Sequence, residues 1–472
     1  MHAGSVLRKT QVFLRLDRGW VRAGWHGSLQ RDTTNAHCRS ACGAPAYKIV
    51  GMKPRYSLPV LSLALWAGAA YAAEPAPGAT ADSSADFAQC LSQLRGQAIK
   101  QGVSASTFDT YTQGLEPDLS ILPLLDAQPE FKTPIWDYLA ALVDNERVAD
   151  GKLAMQQWQS ELTRAQSQFG VDPATVVAVW GVESNFGKNL GGRPLLTSLS
   201  TLSCMGRRQT YFRGEFFATL KIIQQDHLGP ERLNGSWAGA FGQTQFMPST
   251  YMRLAVDFDG DGSRDLVDSV PDALGSTANF LKRAGWKADL PWGFEVRLPD
   301  GMNTEGAGRR NKQAMSAWAA KGVTRADGSP LPSGNTQVGL LLPAGASGPA
   351  FLVTRNFDAL YSYNAAESYG LAIAHLSDRL RGGGPFVQAW PTDDPGISRA
   401  ERRELQSLLI ARGFDIGEPD GIIGSRTRKA LQDIQREAGF PENGRAGMKS
   451  LQWLRQNTSA QPVTATTPAP QQ

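Results

Sequence analysis

Residues 176–187 read Val-Val-Ala-Val-Trp-Gly-Val-Glu-Ser-Asn-Phe-Gly, an apolar run carrying a single acid, Glu183. The run opens as a helix opens, with Asp172 in the N-cap position and Pro173 at the first helical one. Val176, Val179, Trp180 and Glu183 recur at i, i+3, i+4 and i+7, so the carboxyl shares a face with large apolar side chains. Burial on such a face penalises the ionised form and raises the pKa, which suits a general acid near neutral pH. The alternative is a glutamate turned to water near a helix end closed by Gly187.

A second stretch, Gly235 to Tyr251, combines small residues with the Ser236 hydroxyl, the amides of Gln243 and Gln245, and the rings of Trp237, Phe241 and Phe246. Small residues let a backbone come close to a ligand. Amides and ring faces together suit sugars, which have polar rims and apolar faces. The two stretches resemble the lytic murein transglycosylases of the membrane-bound lytic transglycosylase B family. The resemblance runs over about 87–381 and includes Ala127-Gln-Pro-Glu-Phe131, Ile135-Trp-Asp-Tyr-Leu139 and Tyr363-Asn-Ala-Ala-Glu-Ser-Tyr369. It implies a lysozyme-like catalytic core acting on the glycan strands of peptidoglycan.

On this resemblance Glu183 protonates the glycosidic oxygen, then serves as base on the 6-hydroxyl of the same muramoyl sugar. A 1,6-anhydro product results. The substrate supplies the nucleophile, so the second carboxylate of ordinary glycosidases is not needed, and the intramolecular attack gains from proximity. Ser236 matches a hydroxyl that orients the acid. Gln245, Phe246, Tyr363 and Tyr369 match cleft residues that contact the sugar or position the acid, and Arg207 and Arg208 match a basic pair that meets the stem peptides. Phe280 departs from the resemblance, standing where a member of the family has a tyrosine. Tyr363 and Tyr369 also read as core residues with bonded hydroxyls. Two other functions stay open: a hydrolytic muramidase with water activated by Asp257 or Asp226, and a non-catalytic wall-binding protein.

Residues 257–268 have EF-hand spacing. Asp257, Asp259, Asp261, Asp265 and Asp268 fall at positions 1, 3, 5, 9 and 12, Gly262 at the sharp turn of position 6, and Ser263 offers a carbonyl at position 7. Five acids in twelve residues repel one another without a cation. A structural Ca²⁺ is expected, and the family carries such a loop, also ending in Asp. A solvated acidic loop is the alternative.

The formal charge of +4 hides an asymmetry. Residues 1–72 hold ten Lys or Arg and two Asp or Glu, leaving 38 basic and 42 acidic residues beyond them. A net −4 argues against a nucleic-acid partner. With only His227 and His375 beyond residue 72, a His-based catalytic zinc is not expected either. Met52 to Ala72 reads as a signal peptide: Lys53 and Arg55, an apolar stretch too short to span a membrane, then Ala70-Tyr-Ala72. No cysteine for lipid attachment follows, so the exported chain is expected in the periplasm without a membrane span. Residues 1–51 are then a doubtful extension, with Met52 as the expected start. Cys90 and Cys204 lie in the exported part, where one disulfide is expected and two buried thiols are the alternative.

Residues 73–84 form a Pro/Ala/Ser lead-in. Helical periodicity follows from Phe87, over Pro134 to Val143 (with Thr133 as N-cap), in one longer helix to about Phe169, over Glu215 to Gln225, Asp272 to Ala284 and Ser368 to Arg381. Phe294 to Leu298 alternates like a strand, and Val338 to Leu342 with Phe351 to Thr354 reads as a hairpin. The predicted fold is α+β and mostly α: a catalytic domain over 85–381 with a small β insertion. A Gly/Pro-rich linker, 382–396, joins it to a compact unit, 397–457. Asp420-Gly421, Gly424 and Thr427 between two Leu/Gln helices make the unit resemble the peptidoglycan-binding domain type 1, and this resemblance implies a three-helix module. Residues 458–472 read as a disordered tail.

Overall fold

The computed structural model describes residues 14–16, 19–21, 79–126, 132–225 and 228–458. The chain forms two compact units, Met1–Glu74 and Pro75–Gln472. In the first, β1 (Leu14–Leu16) pairs antiparallel with β2 (Gly19–Val21). The expected signal peptide (52–72), Asp226, His227, the 127–131 motif and the 459–472 tail lie outside the described residues.

In the second unit α1 spans Ala79–Lys100, starting inside the expected lead-in. Phe87, Leu91, Leu94 and Ala98 form its buried stripe. Next come α2 (Ala105–Thr112), a 3₁₀ turn (Leu119–Asp126), α3 (Ile135–Leu142), α4 (Asn145–Gln157), α5 (Gln159–Phe169) and α6 (Pro173–Ser184). Two expectations change here. Pro134, rather than Thr133, occupies the N-cap of α3, without a side-chain cap. The single helix expected to Phe169 is broken at Trp158, whose φ of −107° and ψ of 27° leave the helical region while its ring packs on the core.

Helix α6 begins as predicted: Asp172 caps it, accepting the Thr175 N–H at 3.0 Å. It is not amphipathic in place, because residues 174–181 are buried on all sides. That is the pattern of a central helix. Its end also differs from expectation. Asn185, in the left-handed conformation, caps it two residues before Gly187.

The chain continues through β3 (Arg193–Pro194), α7 (Leu195–Cys204), α8 (Gln209–Gln224), β4 (Asn234–Gly235), α9 (Pro248–Leu254) and α10 (Val270–Arg283). The Cys90–Cys204 disulfide ties α1 to the end of α7, with Cα atoms 5.8 Å apart. A five-stranded antiparallel sheet interrupts the helices: β5 (Gly293–Arg297), β6 (Gln313–Ala314), β7 (Thr324–Arg325), β8 (Gln337–Leu341) and β9 (Ala350–Val353), ordered β6-β8-β9-β5-β7. The hairpin predicted from periodicity is β8–β9, with Leu340 opposite Leu352. The two-residue edge strands were beyond reach of a period-2 pattern. Helix α11 (Met315–Ala320) lies within this insertion, and α12 (Arg355–Asn364) and α13 (Glu367–Leu380) return to the core.

Among the described residues, two apolar clusters pack the helices of the catalytic unit, and a third fills the β insertion. One joins α6 and α13 through Val177, Val179, Trp180, Ile373 and Leu376. The other joins α1, α7 and α8 through Phe87, Leu94, Leu199, Phe216 and Leu220. The C-terminal module has α14 (Arg399–Ala411), α15 (Ser425–Glu437) and α16 (Met448–Asn457) around its own core of Leu405, Leu409, Leu431 and Leu451. The 382–396 stretch is packed rather than a free tether. Phe386 stacks on His375 with centroids 3.9 Å apart, and the N–H groups of Val387 and Gln388 donate to the Glu295 carboxylate at 2.7 and 2.8 Å.

Candidate active site

Glu183 sits half-buried in the last turn of α6. Its carboxylate accepts a short hydrogen bond from the Tyr369 hydroxyl. Tyr369, 2% exposed, enters from the first turn of α13. Tyr363, from the end of α12, stacks on it with centroids 6.1 Å apart and planes 22° apart, and donates its hydroxyl to the Thr244 carbonyl at 2.8 Å. Burial first, and the Glu183 charge second, push both phenols well above the ordinary tyrosine range. Both therefore stay protonated and act as donors.

Phe246 and Phe280 stand behind Tyr363, at 5.9 and 4.5 Å between centroids. Phe246 is 1% exposed, so it positions Tyr363 rather than presenting a face to a sugar. Phe280 supplies ring packing against Phe246 and Tyr363. Ser236 closes its own loop: its Oγ accepts the Ala240 N–H at 3.0 Å. Gln245, at φ +50°, braces the same segment by donating Nε2 to the carbonyls of Gly242 and Leu190 at 2.9 and 3.1 Å. Arg207 and Arg208 are exposed at the start of α8. Arg207 donates to the Leu125 carbonyl at 3.1 Å, and the Arg208 guanidinium lies 4.7 Å over the Tyr211 ring.

Sequence reasoning missed the residue that locks the end of α6. Gln243 accepts from Trp180 Nε1 at 3.0 Å and donates to the Val267 carbonyl at 2.9 Å, while its own carbonyl accepts from Ser184 Oγ at 2.5 Å. A Cβ on Gly187 would lie 2.2 Å from Gln243 Oε1, and φ there is +80°, so both space and backbone demand glycine. The amide drew notice only as a sugar contact, and no local pattern signals a clamp across 60 residues.

The acid loop adopts part of the expected arrangement. Gly262 has φ +94° at the sharp turn. Asp257 accepts the N–H groups of Gly260 and Gly262 at 2.7 and 2.9 Å, and Asp261 that of Ser263 at 2.7 Å. Asp257, Asp259 and the buried Asp272 bring one carboxylate oxygen each within 4.8 Å of one another. Asp265 and Asp268, at positions 9 and 12, both pair with Arg232. Asp272 lies outside the twelve-residue spacing. It accepts N–H groups from Phe258, Asp259 and Asp265 at 2.6, 3.2 and 2.7 Å, so it pins the loop to the first turn of α10. The carboxylates that converge, Asp257, Asp259 and Asp272, are the hard oxygen donors a divalent cation such as calcium takes. Asp265 and Asp268, expected as ligands at positions 9 and 12, face Arg232 instead of this group.

Residues 86–378 match the family model described as Transglycosylase SLT domain. The chain belongs to this transglycosylase family. Residues 398–454 match a peptidoglycan binding domain model. Membrane-bound lytic murein transglycosylase B of Escherichia coli (strain K12) is 35% identical over 278 residues, 55% of this chain and 74% of that protein. SltB3 from Pseudomonas aeruginosa, solved in complex with NAG-anhNAM-pentapeptide, is 45% identical, with 78% of this chain and 99% of that one covered at a TM-score of 0.63. The Escherichia coli lytic transglycosylase Slt35 in complex with calcium is 30% identical, covering 63% and 92% at a TM-score of 0.54. Among the described residues of the transglycosylase, no helix is long and apolar enough to cross a membrane.

Proposed function

We propose that Glu183 cleaves the bond between N-acetylmuramic acid and N-acetylglucosamine in peptidoglycan without water, leaving a 1,6-anhydromuramoyl end. The observation that carries this assignment is the Tyr369 hydroxyl bonded to the Glu183 carboxylate inside a wall of buried rings. A phenol donating to Oε1 stabilises the carboxylate formed once the proton has left. The proton in transit is then carried at Oε2: first to the glycosidic oxygen, then back from the 6-hydroxyl as that oxygen closes on the anomeric carbon.

Hydrolysis is disfavoured by the surroundings of one acid it would need. Both oxygens of Asp257 are committed to N–H groups of its own loop. Ser236, Gln245, Tyr363, Arg207 and Arg208 are assigned to the substrate cleft. Ca²⁺ on the acid loop is assigned a structural role, and the C-terminal module a wall-binding one. We place the mature chain in the periplasm.

Glu183→Gln keeps the shape of the side chain and cannot exchange a proton. Activity on purified sacculi should fall by roughly 10²–10⁴-fold or more with the fold intact. Wild-type products should carry ends that borohydride does not reduce. Near-normal activity of the variant would mean the acid is misassigned, and fully reducible wild-type products would make the enzyme a hydrolase.

A further inference from the structure

The C-terminal module meets the catalytic unit through charged groups that are largely buried. Arg445 is bidentate on Asp137, with both contacts at 2.6 Å. Arg399, the first residue of α14, is bidentate on Asp144 at 2.8 and 3.1 Å. Asp137 and Asp144 are 7% and 6% exposed, and Asp144 also caps α4. Burial works against the Asp144 carboxylate, and Arg399 and the Arg147 N–H more than offset it, holding its pKa below the usual range. Gly396, just ahead of α14, sits so close to α3 that a Cβ would lie 2.8 Å from the Trp136 carbonyl oxygen. The module is seated on this surface.

The same Arg399 guanidinium makes one more contact. Its Nη1 donates to Asn185 Oδ1 at 2.8 Å. Asn185 is two residues beyond Glu183 and ends the catalytic helix. The turn it opens is strained, with φ of +53° at Asn185, +59° at Phe186 and +80° at Gly187. Left-handed backbone at two consecutive non-glycine residues persists only where the surroundings impose it. From inside, Ser184 Oγ accepts the Gly187 N–H at 2.9 Å, and the Phe186 ring stands edge-on to Trp180 at 5.7 Å. From outside, the grip comes from the module.

We infer that Arg399 is a positioning residue for the reaction: by holding Asn185 it fixes the turn that sets Glu183, so the module acts on turnover as well as on attachment to the wall. This rests on Glu183 being the acid. The geometry suits arginine alone, since its fork bonds Asp144 with two nitrogens while the third reaches Asn185. A lysine ammonium offers a point charge for Asp144 but no such bridge.

The test is steady-state kinetics of the full chain on short soluble glycan fragments, where wall binding does not enter. Asn185→Gly keeps the left-handed turn and every ion pair of the interface, and removes only the amide. It should lower kcat by about ten-fold, the scale expected for a small misplacement of a catalytic group, with KM little changed. Arg399→Lys should melt close to wild type and lose a similar factor in kcat. Arg399→Ala combined with Asn185→Gly should be no slower than the slower single variant, because both remove one contact. Unchanged kcat in Asn185→Gly, or losses that multiply in the double variant, would overturn the inference. So would an Arg399→Lys enzyme that melts earlier yet turns over normally. If Glu183→Gln is inactive while these variants keep kcat, only the positioning role fails; if Glu183→Gln is active, the underlying assignment fails first.

Discussion

At the scale of single residues, the site depends on one contact more than on its number of polar groups. Tyr369 is buried and its ring is packed on Tyr363, so Tyr369→Phe should leave the fold alone and remove only the donor to Glu183. A hydrogen bond to a charged group contributes about 1.5–3 kcal/mol, so kcat should fall by about ten-fold or more. Single-turnover rates on glycan fragments measure this directly. A Tyr369→Phe enzyme with wild-type rates would reduce the phenol to packing. Gln243 and Gly187 were legible as residues but not as partners, because the 2.2 Å that separates a would-be Cβ from the amide oxygen exists only once two distant segments meet.

At the scale of elements, the acid loop and α10 form one unit. The carboxylates of Asp257, Asp259 and Asp272 converge, and Asp272 holds the loop through three N–H groups at the first turn of α10. A cation bound there stabilises the folded state by mass action. Calcium should therefore raise Tm relative to chelator, by about 2–4 °C for each kcal/mol gained. Asp257→Asn should abolish the difference while kcat at saturating substrate stays as it was. Identical melting curves with calcium and with chelator in the wild type would mean a merely solvated loop. The twelve-residue spacing was visible in the sequence. Arg232, which pairs with Asp265 and Asp268 from a 3₁₀ turn 25 residues upstream of position 1, was not.

At the scale of the whole molecule, the stretch joining the two domains acts as a strap, and His375 lies beneath it. Burial, and after it Arg379, holds the imidazole down to about 3. The unfolded value is about 6.5, so between these limits the unfolded chain binds a proton that the folded chain excludes. Stability is then complete above about pH 6.5 and is lost as pH falls towards 3, by an amount on the order of a few kcal/mol. Ion-paired carboxylates with lowered pKa, such as Asp144, lose their contribution only below about pH 4. Glu215 and Asp378, raised by burial, work in the opposite direction. The measurement is therefore the difference between wild type and His375→Phe in melting temperature from pH 6.5 down to 4.5. The variant should lose less stability over that window; parallel curves would assign the acid limb to other groups.

What the sequence by itself determined were features written in neighbouring residues. They are the Asp172-Pro173 start of α6, the period-2 hairpin of β8 and β9, and one bridge between the two cysteines expected to be exported, whereas the three helices of the module were expected from its resemblance. Such features depend on capping, periodicity or a count, all of them local. The tertiary structure alone decided which of those elements bear on Glu183. Tyr369 reaches the acid from 186 residues away, and Arg399 reaches Asn185 across 214. Contacts at that separation leave no periodic trace, because a hydrogen bond constrains two side chains in space and places no demand on the residues beside them.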